Sequence, residues 1–545
     1  MTNVNPVKLT ATPALTLFSQ AATGGIQLTT MKDMKLKDHY DVIIIGGGIT
    51  GAGTARDCSM RGLRVLLVER HDFTHGATGR NHGLLHSGAR YAVTDQESAT
   101  ECIVENKILR RIAPHCVEEH DGLFITLPED DLAYQQLFVD SCLRAGIRAE
   151  IIDPKLALKR EPSVNPDLIG AVVVPDGSID PFLLTMSNVL DARRHGADML
   201  TYHEASSLII RNGRVEGVNL RNTITGERME AHATITINAA GIWGMEIARM
   251  AGVTVNMFPA KGSLLVFGHR VNNMVINRCR KPANADILVP GDVITVIGTT
   301  SERVPMEEVE NMRVTPEEVD VLLKEGCKLA PSLASTRILR AYAGVRPLVA
   351  SDHDTTGRSI SRGIVCLDHE VRDGLAGFIT ITGGKLMTYR LMAEMATDKV
   401  CEKLNIQREC ETAITPLPNP EMRSDKAFRR HGTMTPEPLV CECEGVSRRD
   451  VQQLIDNHQV TSLSQLRRRT RLGMGTCQGQ LCAYRAERML EELCHKTKAQ
   501  SRQDVMRFLN ERWKGMAAVA WGPTLSECQL MGYIYQSILG IRKEK

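Results

Sequence analysis

The sequence predicts an α/β protein: a parallel βαβ unit near the start, a mixed α/β region after it, and a small helical module with clustered cysteines near the end. Three observations carry this. "YDVIIIGGGITGAG" (40–53) sets an apolar run directly before closely spaced glycines. "LRVLLVER" (63–70) is a second apolar run that ends on an acid. "CEC" (441–443) and "TCQGQLC" (476–482) gather four thiols late in the chain.

Length and composition set the bounds. A chain of 545 residues is too long for one core and predicts about three domains. It is 43% hydrophobic and 24% charged, as soluble globular proteins are. A net charge of +2 gives no basic field for a nucleic acid. No apolar run is long enough for a membrane-spanning helix. Fifteen cysteines, an odd number in a long chain, read as reduced thiols rather than a disulfide framework.

Residues 1–38 read as a leader that is disordered or as a misassigned start, with Met31 and Met34 as alternative starts to Met1. A secretory signal fits poorly, because Lys8 is the one early positive charge before the apolar Ala14–Phe18 stretch.

The first strand is Val42 to Ile45, a continuous apolar run suited to a strand buried on both faces. Gly46, Gly48 and Gly51 follow with GxGxxG spacing, which lets backbone approach a pyrophosphate at the start of a helix over about 49–61. The second strand ends at Glu69, roughly 20 residues past the glycines, where a carboxylate can accept from a ribose. Arg70, beside it, is counted with the cofactor-binding residues. Strand, glycines, helix, strand and acid in that order specify a dinucleotide, and the pattern alone permits either FAD or NAD.

The next segments separate these. "GATGRNHGLLHSGARY" (76–91) resembles the stretch after the second strand in FAD-dependent glycerol-3-phosphate dehydrogenases. "NAAGIWG" (238–244), "VIGTTSE" (296–302), "AGVRPL" (343–348) and "GGKLMTYR" (383–390) resemble further segments of that family in the same order. The resemblance implies FAD as cofactor and a Rossmann-like FAD-binding domain of the D-amino-acid-oxidase/glycerol-3-phosphate-dehydrogenase type, discontinuous over 39–410, with a mixed α/β substrate cap. Gly383 and Gly384 would join the cofactor site.

The implied substrate is sn-glycerol 3-phosphate, and a dianion calls for fixed cations. Arg90, Arg346 and Lys385 stand at the matching motif positions, and Arg362 in "SISRG" matches less closely. The ordinary fate of such side chains is a surface ion pair. His86 is the first candidate for a polar role at the alcohol, with Tyr91 near it in sequence; the alternative is that His86 packs or orients the flavin. His82 matches no motif and reads as structural. In aerobic members a histidine follows the "KGS" motif, whereas Leu264 stands here. Lys261 still matches and is expected beside the flavin ring.

From 411 to 439 the composition turns rich in Pro, Thr and charge, which reads as a linker. The module that follows, 440–495, pairs Cys441 with Cys443 and Cys477 with Cys482 across about 33 residues. Four such thiols suit zinc or an iron–sulfur cluster, or are unrelated buried cysteines. The arrangement resembles the bacterioferritin-associated-ferredoxin-like module, which implies a 2Fe-2S cluster on these four thiolates. The helical tail, 496–545, includes "FLNERWKGMAAVAWG". Core, module and tail together are similar to the anaerobic bacterial members of the dehydrogenase family. That similarity implies two partners, a second flavoprotein subunit and a membrane-anchored iron–sulfur subunit. It also implies electrons leaving to quinone and a peripheral place on the cytoplasmic face of the inner membrane. FMN is a further candidate cofactor, on this chain or in a partner.

"LRRRTR" (466–471) fits docking to an acidic partner or lipid headgroups, or a solvated helix face. "MGYIYQSILG" (531–540) fits a short amphipathic helix against membrane or partner, or ordinary core packing. Two rival functions stand beside the dehydrogenase: an amino-acid or hydroxy-acid dehydrogenase of the same superfamily, and an electron-transfer protein with no substrate of its own.

Overall fold

A computed structural model describes residues 36–349, 363–420, 422, 437–458 and 460–535. Arg362, the leader with Met31 and Met34, and residues 423–436 of the linker lie outside them.

The chain opens as its pattern dictates. Strand β1 (Tyr40–Ile45) feeds helix α1 (Ile49–Met60), and β2 (Val65–Glu69) returns parallel to β1, pairing Val42 to Val65 through Ile45 to Val68. Val42 to Ile44 are fully buried, because helices cover one face of the sheet and further strands the other. The long strand β3 (Arg228–Asn238) lies parallel on the other side of β1. Its first half pairs antiparallel with Arg214–Asn222, and its end pairs parallel with Phe378–Gly383, which arrives about 140 residues later. The eight strands of this sheet therefore come from separated stretches of chain, as the discontinuous domain requires.

A second, nine-stranded sheet forms the cap. Its spine is β4 (Met257–Phe267) against β5 (Ile338–Val349), antiparallel, with Ala260 opposite Arg346 and Gly262 opposite Gly344. Strand parity then decides which side chains face the first sheet. Gly262 and Leu264 do; Lys261 and Ser263 point the other way.

The C-terminal module is helical, with one small hairpin, Leu439–Cys441 against Val446–Ser447. It is not a separate bead. Leu463, Leu466 and Cys482 belong to one buried apolar cluster with Val42, Ile44 and Leu67 of the first sheet. The tail locks on as well: Gly515 accepts from the Ala341 amide at 3.0 Å, and a Cβ on Gly515 would stand 1.9 Å from the Ala341 oxygen.

One expectation changes here, and one pair of alternatives is decided. "LRRRTR" does not face solvent or a partner. Arg469 and Arg468 bind buried Asp72 at 2.6 and 3.2 Å, and Arg471 lies 3.4 Å from Glu444. Of "MGYIYQSILG", the described part takes the core-packing alternative on one face: Met531 and Tyr535 are buried and the Tyr535 hydroxyl donates to the Gly479 carbonyl at 3.0 Å, while Tyr533 is exposed. No helix of the described residues is long and apolar enough to cross a membrane.

Candidate active site and cysteine centre

One cavity of about 950 Å³ opens at the carboxyl ends of the parallel strands and runs on under the cap. Gly46, Gly48 and Glu69 line one end, with Ala239 from the end of β3. Gly46 has φ +120, and a Cβ there would sit 2.5 Å from the Ala239 oxygen. A Cβ on Gly51 would lie 1.9 Å from the Gly46 oxygen, so no other residue allows this turn. Glu69 takes backbone amides on both oxygens, Gly47 at 2.7 Å and His71 at 2.8 Å. Burial raises its carboxyl above the ordinary range despite those donors. Arg70 lies over the Trp243 ring, 4.6 Å from its centroid, and also pairs with Glu310. Bare backbone at the turn, a terminal carboxylate and a helix start are what a dinucleotide needs, so these residues fit FAD.

The other end collects the expected polar residues. His86, Arg90, Tyr91, Arg346, Gly383, Gly384 and Lys385 all line the same cavity, although the chain separates the first from the last by about 300 residues. Arg90 is held by buried Asp286 at 3.1 Å and by the Ala283 carbonyl at 3.0 Å. Arg346 donates to the Thr299 hydroxyl and to the Thr300 carbonyl at 3.1 Å. Lys385 stands 4.9 Å from the centroid of the Tyr91 ring, which tilts against His86 at 5.3 Å. Gly383 and Gly384 both have positive φ, +79 and +62, which brings the chain around to present Lys385.

His86 accepts the Gly88 amide on Nδ1 at 2.9 Å. Neutral His86 then carries its proton on Nε2 and offers a donor there rather than a base. His82, structural by its sequence context, also lines the cavity. A signal existed: His82 and His86 are four apart in one family-like segment.

Lys261 is the clear displacement. It does not reach the cavity; its ammonium pairs with Glu318 at 2.7 Å on the far face of β4, and both are buried. Glu318 also accepts from Ser263 at 2.6 Å, and these partners hold its carboxyl below the ordinary range against burial. Gly262, next to it, carries no chemistry of its own and matters more: a Cβ there would be 2.6 Å from Nη2 of Arg346. Leu264, in place of the aerobic histidine, does line the cavity.

The four late cysteines converge. Cys441 contacts Cys482, Cys482 contacts Cys477, and Cys477 contacts Cys443 through hydrogen bonds between thiols. Cys482 donating to Cys477 holds the latter down at about 5, with thiolate character, while Cys482 is itself pushed up. Three glycines let the loop around them run close to its neighbours, and the Thr476 hydroxyl lies 3.3 Å from the Cys443 sulfur. Cβ atoms on Gly473 and Gly479 would meet Phe508 at 2.9 and 2.4 Å, and one on Gly475 would meet Cys443 at 2.4 Å. Four convergent thiols on a glycine-rich loop fit an iron–sulfur cluster.

The family pattern described as FAD dependent oxidoreductase matches residues 41–390, and that of the BFD-like [2Fe-2S] binding domain matches 439–492. A subunit of the anaerobic glycerol-3-phosphate dehydrogenase of Escherichia coli (strain K12) is 59% identical over 538 residues, covering 94% of this chain and 99% of the relative. A subunit of the anaerobic glycerol-3-phosphate dehydrogenase of Haloferax volcanii is 40% identical, over 92% of this chain and 91% of the relative. Among solved structures, the Bacillus halodurans glycerol-3-phosphate dehydrogenase complexed with FAD covers 89% of this chain and 96% of its own, with a TM-score of 0.64 and 22% identity, a likeness of fold.

Proposed function

The chain belongs to the FAD-dependent oxidoreductase family, and on that footing we propose that it oxidises sn-glycerol 3-phosphate to dihydroxyacetone phosphate and sends the electrons out through its cysteine-bound cluster. The observation that carries this reading is the gathering of Arg90, Arg346 and Lys385 in one cavity with the glycine turn and Glu69 at its other end. A carboxylate substrate would not call for three cations; a phosphate dianion does. Arg346 is preset by Thr299 and the Thr300 carbonyl, so its planar fork needs no reordering to meet the phosphate. Arg90, neutralised in part by Asp286, orients rather than dominates. With Nδ1 taken by the Gly88 amide, Nε2 of neutral His86 would serve the substrate oxygen as a donor, and loss of the Gly88 contact would let the proton move to Nδ1 and free Nε2 as a base. When bound, FAD supplies the hydride acceptor and the cluster a one-electron exit. Cys441, Cys443, Cys477 and Cys482 hold that exit.

The same reading places the chain within a larger enzyme. A second flavoprotein subunit and a membrane-anchored iron–sulfur subunit would pass electrons to quinone and hold this chain on the cytoplasmic face of the inner membrane, with any FMN on this chain or on that second subunit. The relatives are subunits by name, which supports partners in general.

Anaerobic titration of the purified chain with sn-glycerol 3-phosphate tests the core. Bleaching of the flavin band, followed by the paramagnetic signal of a reduced cluster, is expected. Bleaching by amino acids or hydroxy acids but not by the phosphate ester would overturn the substrate; no bleaching by any of them would leave an electron-transfer protein.

A further inference from the structure

We propose that a second cavity, between the FAD-type domain and the cysteine module, binds a phosphorylated small molecule of nucleotide size. This cavity has a volume of about 920 Å³, close to that of the cavity that fits a dinucleotide and a substrate. Three arginines from three different elements converge on it: Arg80 from the loop after β2, Arg340 from β5, and Arg467 from the helix Leu463–Thr470. None of the three has an ion pair among the described residues. The Nε atoms of Arg340 and Arg467 are buried without any hydrogen-bond acceptor. Arg340 faces both of the others as a like charge. The acid near all three is Glu511, which is exposed and pairs with none of them.

Buried like charges without counterions are costly, and a fold keeps them where something arrives to neutralise them. The planar donor forks of three arginines match the oxygens of a phosphate. The rest of the wall suits the body of a nucleotide: Phe182, Tyr202 and Tyr342 line it, and Arg340 already lies 5.6 Å from the centroid of the Tyr342 ring. A metal would be repelled here. Outside the cysteine centre, His71, His75 and Glu310 form a three-ligand group whose histidines line this cavity, but Arg70, Arg80 and Arg468 lie close to those histidines.

The position gives the ligand a role. Arg80, Asn81 and His82 form a wall common to both cavities, and the Tyr342 hydroxyl donates to the Asn81 carbonyl at 2.8 Å. On the other side stand Met474 and Gln478 of the loop that carries Cys477. A bound phosphate would tie the two units together between the flavin side and the cysteine side. This inference is independent of which substrate the first cavity takes.

The test uses the full chain, FAD-loaded and anaerobically purified. Calorimetric titrations with inorganic phosphate, ATP and FMN separate a bare anion from an adenine and a flavin nucleotide. One of them should bind at one site per chain, and the double variant R340Q/R467Q should weaken it at least about tenfold. Arg346→Ala, in the first cavity, should leave that binding unchanged. Without ligand, the double variant should melt close to the wild type, because the repulsion it relieves offsets the Tyr342 ring contact and the distant Glu511 attraction that it loses. Arg80→Gln on the opposite wall should weaken the same titration if the double variant does not fold. If a ligand copurifies, the unfolded protein should release phosphate or nucleotide beyond its FAD. Failure of all three probes to bind, with nothing released on unfolding, overturns the proposal. So does binding that survives R340Q/R467Q, or that Arg346→Ala abolishes.

Discussion

The two cavities share a wall and nearly a volume, about 950 and 920 Å³, yet they treat positive charge in opposite ways. In the first, the three cations assigned to the substrate rest on protein: Arg90 on Asp286, Arg346 on Thr299 and a carbonyl, Lys385 over Tyr91. In the second, Arg468 and Arg471 are paired, but Arg340 faces both Arg80 and Arg467 as a like charge, and none of these three has an ion pair among the described residues. The first arrangement is that of a catalytic site, where donors are fixed in advance so that no reordering is needed during the reaction. The second is a site that is stable only when a counterion completes it. Substitutions can separate the two.

The largest effect should come from the far side of the second cavity. Cys482 is fully buried among the four thiols, and Cys482→Ala removes one ligand. The visible iron–sulfur absorbance should fall sharply, and electron delivery to quinone with the partner proteins present should collapse. The module shares its apolar core with the first sheet, but the truncation removes a single sulfur from it, so substrate should still bleach FAD. Iron analysis of the wild type checks the cluster itself: about two irons per chain supports it, whereas one zinc and no iron makes the module structural.

Next in size is the contrast between the cavities themselves. Arg346→Ala should lower kcat/KM for sn-glycerol 3-phosphate at least about tenfold, since a charge-assisted contact to phosphate is worth about 1.5–3 kcal/mol. FAD content should be retained. Arg467→Gln should leave kcat/KM within about twofold by the same reckoning, as it touches neither substrate nor flavin side. Equal losses in the two variants would erase the distinction between the cavities. Gly262→Ala should fall between them: its Cβ would stand 2.6 Å from Nη2 of Arg346, so the arginine must shift while its charge remains. A KM rise with little change in kcat is the expected signature, and steady-state kinetics reads it directly.

The residues of the first cavity were largely legible in the sequence, and those of the second were not. Gly46, Gly51 and Glu69 are dictated by local geometry, because turn, helix start and strand end are set within about 30 residues of chain. Arg90, Arg346 and Lys385 sit inside motifs whose likeness to a family places them together. Lys261 misleads because strand parity, not motif, decides facing: on β4 the cavity takes Gly262 and Leu264, and the odd positions go to Glu318. The arginine run 466–471 misleads for a different reason. Its counterion, Asp72, lies almost 400 residues upstream, and no spacing rule reaches that far. Sequence shows that charges are present; which of them the fold pairs, and which it leaves facing a cavity, depends on long-range packing.

The smallest effect tests a buried acid in the wall of the first cavity. Asp176 lines that cavity, and its Oδ1 accepts from the Ser87 amide at 2.6 Å and hydroxyl at 2.8 Å. Burial outweighs these donors and pushes its carboxyl up to about 6 from 3.8. The folded state therefore favours the protonated acid. Its stabilising contribution is complete below about pH 4 and is lost as pH rises through about 6. Asn at this position keeps an oxygen for the Ser87 donors and cannot ionise. Asp176→Asn should consequently gain on the wild type as pH increases, by about 1–3 kcal/mol between pH 4 and 8. Thermal melts of the FAD-loaded pair across that range read the gain as a widening Tm difference that levels off above about pH 7. A difference that stays constant with pH would mean that Asp176 ionises as readily in the folded chain as in the unfolded one, and that the wall of the first cavity compensates this acid as fully as it does its cations.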